Sequence, residues 1–401
     1  MIHSVRKKET VNDEAFKYDV ALLFPVLFLV GIGIVMVYSA SSALALKTYG
    51  SDLYFLKKQA VFAVFGFFAL MMCRHIHYRT YRILAYPILM AAIVFLAAVK
   101  IPGLGHAAGG AERWLRIGGV TFQPSEFAKP ALVIYFAYSM SKKADLMQRF
   151  SIGLFPHLLV FGLMSVFMLI QPDFGSVVIL AMITWIMLFV GGARVLHLSA
   201  SLLALSPIAV AAVLMAPYRF KRLLSFLNPW AYQTDEGYQI VHSLMAFGTG
   251  GLCGTGIGKG YQKLFYLPEP HTDFIFSVIG EELGLAGVLF ILGLYVIIFI
   301  RGIRIALETP DTFGSLLATG LTAVLGLQVC INMGVALGLL PTKGLTLPFL
   351  SYGGSSLIFS MASAGILMNI SAQKSRTAGT GPVRRRSANV TAKRAFHGKP
   401  A

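Results

Sequence analysis

The chain has 401 residues, of which 56% are hydrophobic and only 13% are charged, and its mean hydropathy is +0.72. A soluble domain contains about 25% charged residues and cannot hide so large an apolar fraction in one core. The composition therefore excludes a soluble enzyme and predicts a polytopic membrane protein. The formal net charge of +17 comes partly from the basic segment 373–401, and no nucleic-acid partner is expected.

Apolar segments of about 20 residues, the length that crosses a bilayer as a helix, recur along the sequence. We predict an all-α polytopic membrane protein with ten transmembrane helices, a short tail at 1–18, a membrane domain at 19–372 and a basic, disordered tail at 373–401. One long loop, 217–272, joins the seventh and eighth helices. The spans are predicted near 19–40, 59–74, 81–99, 125–141, 153–170, 174–192, 195–216, 274–300, 313–340 and 349–370.

Lysine and arginine set the predicted orientation. They are more numerous in the short loops and tails on the side of the N-terminus. The positive-inside rule then places both termini in the cytoplasm and the loops 101–124 and 217–272 outside. Acidic residues are concentrated in the outer half, so we expect the chemistry to face outward. Cys73, Cys253 and Cys330 are too widely spaced to predict a disulfide framework or a metal site.

The first outer loop and the fourth helix carry paired charges. In segment 112–116, Arg113 and Arg116 flank Trp114, a pattern typical of an interfacial anchor or of a contact to phosphate. Glu126 and Lys129 are spaced i, i+3 and share a helix face. They form either a self-contained intramembrane ion pair or a site where Lys129 serves an anionic head group.

Three further segments border later helices. Segment 171–176 is typical of a tight turn in which Asp173 caps the sixth helix. Segment 219–227, which begins with Arg219, indicates a basic amphipathic stretch at the interface. The glycine-rich segment 248–260 does not fit a phosphate-binding P-loop, because Cys253 replaces a required glycine and Lys259 precedes glycine. We interpret it as a flexible or close-packed backbone segment whose N–H groups could contact a diphosphate.

Asp273 is the most informative acidic residue. It stands where the long polar loop ends and an apolar helix begins, and a carboxylate at the edge of hydrocarbon is costly unless it has a function. It could move a proton, hold a metal or line a path, or it could simply cap the helix. Thr272 is an equally good cap, which would leave Asp273 available, and Ser277 lies one turn further on the same face.

Glu281 and Glu282 follow deeper in the same helix. At 1.5 Å per residue, Glu281 lies about 12 Å below Asp273. One or both side chains must face protein or water rather than lipid, and at least one is expected to have a structural hydrogen-bonding role. At the last span, the small residues of segment 351–356, including Ser355, permit close helix packing or line a groove for a lipid chain.

These blocks, in this order, resemble the SEDS family of membrane proteins (shape, elongation, division and sporulation). The resemblance extends from about Tyr18 to Gln373. It depends on the blocks at 113–114, 123–129, 171–175, 219–229, 266–284 and 341–356. Within the family, segments 267–271 and 342–348 favour the division member over the elongation member.

The resemblance implies a peptidoglycan glycosyltransferase that polymerises lipid II into β-1,4 glycan on the outer face of the bacterial cytoplasmic membrane. It also implies that the protein is a multi-pass membrane protein located at the division septum. It also implies a class B penicillin-binding transpeptidase and other division proteins as partners, beside membrane lipid. The essential aspartate of the family falls on Asp273. The candidate substrate-binding residues are Arg113, Trp114, Glu126, Lys129, Arg219, Lys259, His271, Ser277, Glu281 and Ser355.

The chemistry agrees with this interpretation. An inverting transfer needs one base, and Asp273 can take the proton of the acceptor hydroxyl. Cationic side chains or a divalent magnesium or manganese ion, with Asp273 as a possible ligand, could stabilise the diphosphate that leaves; no organic cofactor is expected. The alternatives are a lipid II flippase and a non-catalytic scaffold that recruits the transpeptidase.

Overall fold

The computed structural model describes residues 19–379, apart from 109, 110, 119, 236 and 265. The tail at 1–18 and most of the tail at 373–401 lie outside the described residues. Three short strands, β1 (Gly105–Ala108), β2 (Ala111–Ile117) and β3 (Val120–Phe122), accompany the helices. The α-helices of the described part are α1 (Val20–Tyr49), α2 (Tyr54–His75), α3 (Tyr78–Ile83), α4 (Ala85–Ala98), α5 (Pro124–Lys142), α6 (Phe155–Ile170), α7 (Phe174–Val190), α8 (Val195–Leu214), α9 (Pro217–Leu227), α10 (Tyr238–Gly250), α11 (Ile275–Glu308), α12 (Thr312–Ala336) and α13 (Gly354–Gly379).

Each predicted span coincides with one of these helices, but not all of them meet the requirements for crossing a bilayer. Among the described residues, 7 helices are long and apolar enough, and α4 and α7 are apolar but shorter. Helix α5 contains the charged pair Glu126 and Lys129. The chain is therefore a multi-pass, mostly helical protein, and the number of ten spans stays a prediction.

The loop at 101–124 contains a small sheet. Strands β1, β2 and β3 form a three-stranded antiparallel sheet in sequential order, with Trp114 opposite His106 and Arg116 opposite Thr121. The prediction of an all-α fold is wrong in this loop. Strands of three to seven residues are too short to produce a clear alternating pattern in the sequence.

The predicted long loop 217–272 is also largely structured. Helix α10 runs alongside the first turns of α11, so that Ser243 contacts Ser277 and Gly250 contacts Gly280. A Cβ atom on Gly250 would lie 2.0 Å from the carbonyl oxygen of Gly280, so only glycine permits this approach. The chain therefore enters beside α11, turns, and returns to the end of α11 at which Asp273 lies.

Helix α11 is interrupted where this segment turns. Gly284 has φ 65° and ψ −167°, which breaks the helical hydrogen-bond ladder. The amides of Leu285 and Ala286 donate instead to Gly251 O (2.9 Å) and Leu252 O (3.1 Å). Irregular backbone at membrane depth is tolerated only when its polar groups are satisfied by protein, and the break and the turn satisfy one another.

The opposite end of the bundle brings the first and last helices together. Asp19, before α1, forms a 2.7 Å ion pair with Arg301 of α11 and accepts a hydrogen bond from Ser371 of α13. The first helix thus begins at the end of the bundle where the last one finishes. This arrangement agrees with the prediction that both termini lie on one side.

Candidate active site

Asp273 lies between the returning segment and helix α11. The structure corrects the expectation about capping, because Phe274 is the N-cap residue of α11 and no side chain caps the helix. The hydroxyl of Thr272 donates instead to Glu269. Within the described residues, the carboxylate of Asp273 makes no hydrogen bond, and it is partly exposed. It therefore remains available for chemistry.

The backbone around Asp273 is held firmly. Asn332 of α12 donates to Asp273 O (2.9 Å) and to Leu345 O (2.5 Å). Ser351 Oγ donates to Thr272 O at 2.6 Å, and the Tyr352 amide donates to His271 O at 2.9 Å. These bonds all end on main-chain carbonyls, so they fix the backbone at Asp273 without occupying its carboxylate oxygens.

The charge environment of Asp273 is finely balanced. Burial, followed by the nearby charge of Glu269, raises the pKa of the Asp273 carboxyl to about 7. Arg113 and Arg222 act in the opposite direction. A group whose pKa lies near the working pH is well suited to general base catalysis, since it is substantially deprotonated yet still able to accept a proton.

A cavity of about 150 Å³ lies next to this carboxylate. A Cβ atom placed on Gly344, which lines the cavity, would be 3.1 Å from Asp273 Oδ2. The lining is strongly cationic and contains one acid, Asp173. The lining residues are Arg113, Pro172, Asp173, Phe174, Gly175, Val213, Tyr218, Arg219, Arg222, Leu223, Pro341, Thr342, Lys343 and Gly344.

Two predicted residues, Arg113 and Arg219, reach this cavity. Arg113 comes from β2 and donates to Gln171 O (3.3 Å) and Pro172 O (2.7 Å). Arg219 opens α9, where its Nη1 donates to Ala212 O at 2.7 Å. Distant parts of the chain thus meet here: β2, the start of α7, the end of α8 with α9, and the segment before α13.

Sequence reasoning missed two cationic lining residues, Arg222 and Lys343, together with the aromatic ring of Phe174. Arg222 lies within the amphipathic segment 219–227. It is spaced i, i+3 from Arg219, so a helix in this segment would place both side chains on one face. Lys343 lies in segment 342–348, which in the sequence indicated only the member of the family. The missing information was their proximity in space, which no local pattern contains.

Asp173 confirms the predicted turn. Its carboxylate accepts from Ser176 N (3.2 Å) and Ser176 Oγ (2.7 Å), which caps α7. The side chain is buried, with 3% exposure, and its oxygens are used by the cap. It therefore shapes the cavity wall and adds negative charge beside the cations.

His271 and Trp114 lie close to the site but do not line the cavity. His271 is buried and contacts the rings of Phe55 (4.5 Å) and Tyr352 (5.5 Å). Burial lowers the pKa of His271, with the charge of Glu269 acting against it. Trp114 is half-buried in the small sheet. The predicted contact of both residues with substrate stays a prediction.

Glu126 and Lys129 form the ion pair that was one of the two alternatives. Lys129 Nζ lies 2.7 Å from Glu126 Oε1, and both side chains are buried. Gln328 of α12 donates to the other oxygen of Glu126 at 3.3 Å. Ser355 accepts a bond from the amide of Gln123. These contacts join α5, α12 and α13 away from the cavity lining.

Glu281 and Glu282 bind the glycine-rich segment. Glu281 accepts bonds from the amides of Tyr261 (2.7 Å) and Gln262 (3.2 Å). Glu282 accepts bonds from the Gly258 amide at 3.1 Å and from Lys263 Nζ at 2.5 Å. The expected structural role is thus confirmed, and the segment is close-packed.

Two further candidates lie in the same region. Ser277 contacts Ser243 at 2.5 Å, and Lys259 is exposed on the glycine-rich segment. Neither residue lines the cavity beside Asp273. Their predicted contacts to substrate stay predictions.

Comparison with known proteins agrees with this architecture. A family model for the FtsW, RodA and SpoVE cell cycle proteins matches residues 20–376. The chain belongs to this family. It is 47% identical to a probable peptidoglycan glycosyltransferase FtsW of Geobacter sulfurreducens over 89% of this chain and 96% of the relative. It is 42% identical to the stage V sporulation protein E of Bacillus subtilis over 88% of this chain and 96% of that protein.

Two solved structures share the fold. One comes from work on the structural coordination of polymerization and crosslinking by a peptidoglycan synthase complex, and it matches with a TM-score of 0.73, 31% identity, and coverage of 89% of this chain and 98% of the other. The other is the rod shape determining protein RodA of Thermus thermophilus, with a TM-score of 0.65, 30% identity, and coverage of 89% and 97%. The predicted family is therefore confirmed.

Proposed function

We propose that this protein is an inverting peptidoglycan glycosyltransferase that polymerises lipid II, a disaccharide-pentapeptide on undecaprenyl diphosphate, during cell division. The relatives carry this activity in their names. The observation that carries the proposal is the carboxylate of Asp273, which has no hydrogen-bonded partner among the described residues and borders a cation-lined cavity. A base and a site for a leaving anion are the two groups that the reaction requires.

Asp273 acts as the general base. It takes the proton of the 4-hydroxyl of the acceptor sugar as that oxygen attacks the anomeric carbon of the donor. The new bond forms on the face opposite the departing diphosphate, so the α-linked donor gives a β-1,4 product. The bond between the anomeric carbon and the diphosphate oxygen breaks, and its electron pair leaves with the diphosphate. The proton on Asp273 then passes to water.

The cavity stabilises the negative charge that develops on the leaving group. Arg113, Arg219, Arg222 and Lys343 converge on it, and fixed cations in a partly dehydrated site cost little reorganisation during the reaction. A volume of about 150 Å³ is small compared with the roughly 300–1,000 Å³ of pockets for drug-sized ligands. The cavity therefore suits a diphosphate rather than a whole disaccharide.

A magnesium or manganese ion remains part of the proposal. The described residues contain no group of three or more His, Cys, Asp or Glu side chains that could form a protein cage. Magnesium, however, commonly binds through one or two carboxylates together with substrate phosphates, and Asp273 beside the cavity fits that mode. Such an ion would supply Lewis-acid stabilisation of the diphosphate.

The assembly and location follow from the same proposal. The protein would span the cytoplasmic membrane ten times, act on its outer face at the division septum, and work with a class B penicillin-binding transpeptidase and other division proteins. The relative solved as part of a peptidoglycan synthase complex supports that kind of partner. Single cysteines introduced at Lys259 and Lys142, in a background without native cysteines, test the orientation. An impermeant maleimide should label position 259, and not 142, on intact cells.

The decisive experiment is a polymerisation assay with the purified full chain and lipid II in detergent micelles, with and without a class B penicillin-binding protein. Micelles have no sidedness, so a glycosyltransferase makes glycan chains there, whereas a flippase or a scaffold makes none. Asp273→Asn should make no polymer, and Asp235→Asn, an equivalent change at an exposed loop aspartate, should behave like the wild type. Absence of polymer from the wild type with its partner would favour the flippase or scaffold alternative.

A further inference from the structure

The cations of the cavity differ in how far their hydrogen-bond donors are already used. Arg113 directs two of its N–H groups to the carbonyls of Gln171 and Pro172. Arg219 directs its Nε to the hydroxyl of Tyr218 at 2.8 Å and its Nη1 to Ala212 O. Both guanidinium groups therefore use part of their N–H donors in hydrogen bonds to the protein around the cavity.

Lys343 is different. Its Nζ lies 5.4 Å from the centre of the Phe174 ring. Within the described part of the chain, this ammonium forms no hydrogen bond or ion pair. An ammonium has three donors, and all three remain available on the cavity side. Asp173 is the acid whose charge acts on Lys343, and its carboxylate oxygens accept the hydrogen bonds that cap α7.

The ammonium is held in a position that disfavours its own charge. Burial lowers the pKa of Lys343 to about 8, with Asp173 acting in the opposite direction. The guanidinium of Arg219 also lies 5.1 Å from the centre of the Phe174 ring, and both cations line the cavity. An anion with two negative charges bound there would be stabilised by both of them.

Lys343 is also joined directly to the catalytic neighbourhood. The next residue, Gly344, leaves open the space beside Asp273 Oδ2, where a Cβ atom would lie at 3.1 Å. Leu345 is fixed by the bond from Asn332 that also holds the backbone of Asp273. A short, firmly held turn thus carries the ammonium into the cavity and keeps the base accessible.

We propose that Lys343 binds the diphosphate of the lipid donor directly, supplying the cavity with an ammonium whose donors are not committed to the protein. This inference deepens the proposed glycosyltransferase function and rests on it. Arg113 and Arg219 shape and charge the wall, and Lys343 makes the additional charge-assisted hydrogen bonds to the phosphate oxygens. Loss of one such group should weaken binding about tenfold.

Inorganic diphosphate is the probe for this site, because its binding does not require turnover. Its dissociation constant is measured by calorimetry on the full chain in detergent, at fixed salt and without divalent metal. Lys343→Met should weaken binding about tenfold, and Lys343→Arg should stay within about threefold of the wild type, since it keeps the charge. Lys57→Met, which removes an exposed outer lysine, is the matched control and should bind like the wild type.

A second readout separates binding from chemistry and from folding. In the polymerisation assay, the fold-increase that Lys343→Met causes in KM for lipid II should be about ten times its fold-decrease in kcat. The midpoint of thermal unfolding of Lys343→Met should match that of Lys343→Arg. Asp273→Asn should bind diphosphate at least as tightly as the wild type while making no polymer. Binding by Lys343→Met within threefold of the wild type would overturn the role of Lys343.

The two proposals can fail separately. A wild-type protein that polymerises lipid II but binds no inorganic diphosphate, or binds it equally well as Lys343→Met, contradicts the inference and leaves the function intact. A wild-type protein that binds diphosphate through Lys343 but makes no glycan with its partner contradicts the proposed function alone.

Discussion

Two carboxylate sites on one stretch of chain behave in opposite ways. Glu281 and Glu282 are buried, and the oxygens of both accept bonds from backbone amides, with Lys263 and Ser39 completing the set around Glu282. Asp273, eight residues earlier, has no hydrogen-bonded partner among the described residues. Acids in or beside a membrane are thus not equivalent as signs of function. The informative feature is whether the protein has already satisfied them.

The comparison also explains how the segment that leads to Asp273 is built. The glutamates fix a turn of irregular backbone deep beside α11, and that turn returns the chain to the surface just before Asp273. Lys263 connects the turn to Ser39 of α1 as well, at 2.9 Å. The two glutamates therefore stabilise this region of the fold, and Asp273 is left without a hydrogen-bonded partner among the described residues.

Asp273→Asn should separate the two sites most sharply. The change is nearly isosteric and removes basicity, so we expect polymerisation to fall by about 10²–10⁴-fold, the usual contribution of a general base. The midpoint of thermal unfolding should not decrease, because no hydrogen bond to the carboxylate is lost among the described residues. The measurement is glycan synthesis from lipid II beside thermal unfolding in detergent. Activity within a few-fold of the wild type would remove Asp273 from the mechanism.

Glu282→Gln should show the reverse pattern, with stability affected first. It leaves the ammonium of Lys263 buried and unpaired, and breaking a buried ion pair typically costs about 3–5 kcal/mol. The free energy of unfolding in detergent checks this. Adding Lys263→Met should restore part of the loss, because the pair is then removed together.

The exposed pair Lys100–Glu112 offers a matched control for this prediction. Its atoms are 3.1 Å apart, and the two side chains are 40% and 54% exposed. Glu112→Gln should therefore cost less than about 1 kcal/mol. Equal losses of unfolding free energy in Glu282→Gln and Glu112→Gln would contradict the stabilising role assigned to Glu282.

The pH dependence of the reaction provides a third test of the contrast. Asp273 must be ionised to act as a base, and burial and Glu269 raise its pKa to about 7, against Arg113 and Arg222. Below pH 7 the rate should fall about tenfold per pH unit. Glu269→Gln removes a charge that raises this pKa, so the acidic limb of the kcat/KM profile should move to lower pH.

The same shift has a consequence for stability. Because the pKa of Asp273 is higher in the folded protein than in the unfolded chain, its contribution is fully present below about pH 4 and is lost as pH rises through about 7. Asp273→Asn, which cannot titrate, should therefore gain in stability relative to the wild type over that interval. An acidic limb that does not move in Glu269→Gln, with no relative gain in Asp273→Asn, would contradict the assigned pKa.

The sequence was sufficient for the long apolar helices because each depends on a local property. About 20 apolar residues in a row predict a span wherever they occur, and every predicted span coincides with a helix. Asp273 was found for a similar reason, since its position at the edge of an apolar segment is visible locally. The prediction that Asp173 ends a turn succeeded because a cap involves neighbours three residues apart.

Contacts between distant segments were not predictable in this way. Ser39 and Glu282 are 243 residues apart, and the glycine-rich segment resembles an ordinary loop until its partners on α11 are known. The three-stranded sheet was missed because its strands are short. Arg222 and Lys343 are unremarkable surface cations in the sequence, and only the fold brings them to one cavity. Proximity in space is the physical information that a single sequence lacks.

Gly344→Ala should produce the smallest effect and the most specific one. Gly344 is exposed and has no left-handed backbone angle, so alanine should change the free energy of unfolding by less than about 1 kcal/mol. Its Cβ atom would lie 3.1 Å from Asp273 Oδ2 and would push the carboxylate aside by a few tenths of an ångström. Misplacing a catalytic group costs rate, and we expect polymerisation to fall about three- to tenfold. Gly162→Ala, where nothing lies within 4 Å of the new Cβ atom, is the control and should retain full activity. If Gly344→Ala and Gly162→Ala are equally active, the space beside Oδ2 is not where the acceptor meets its base.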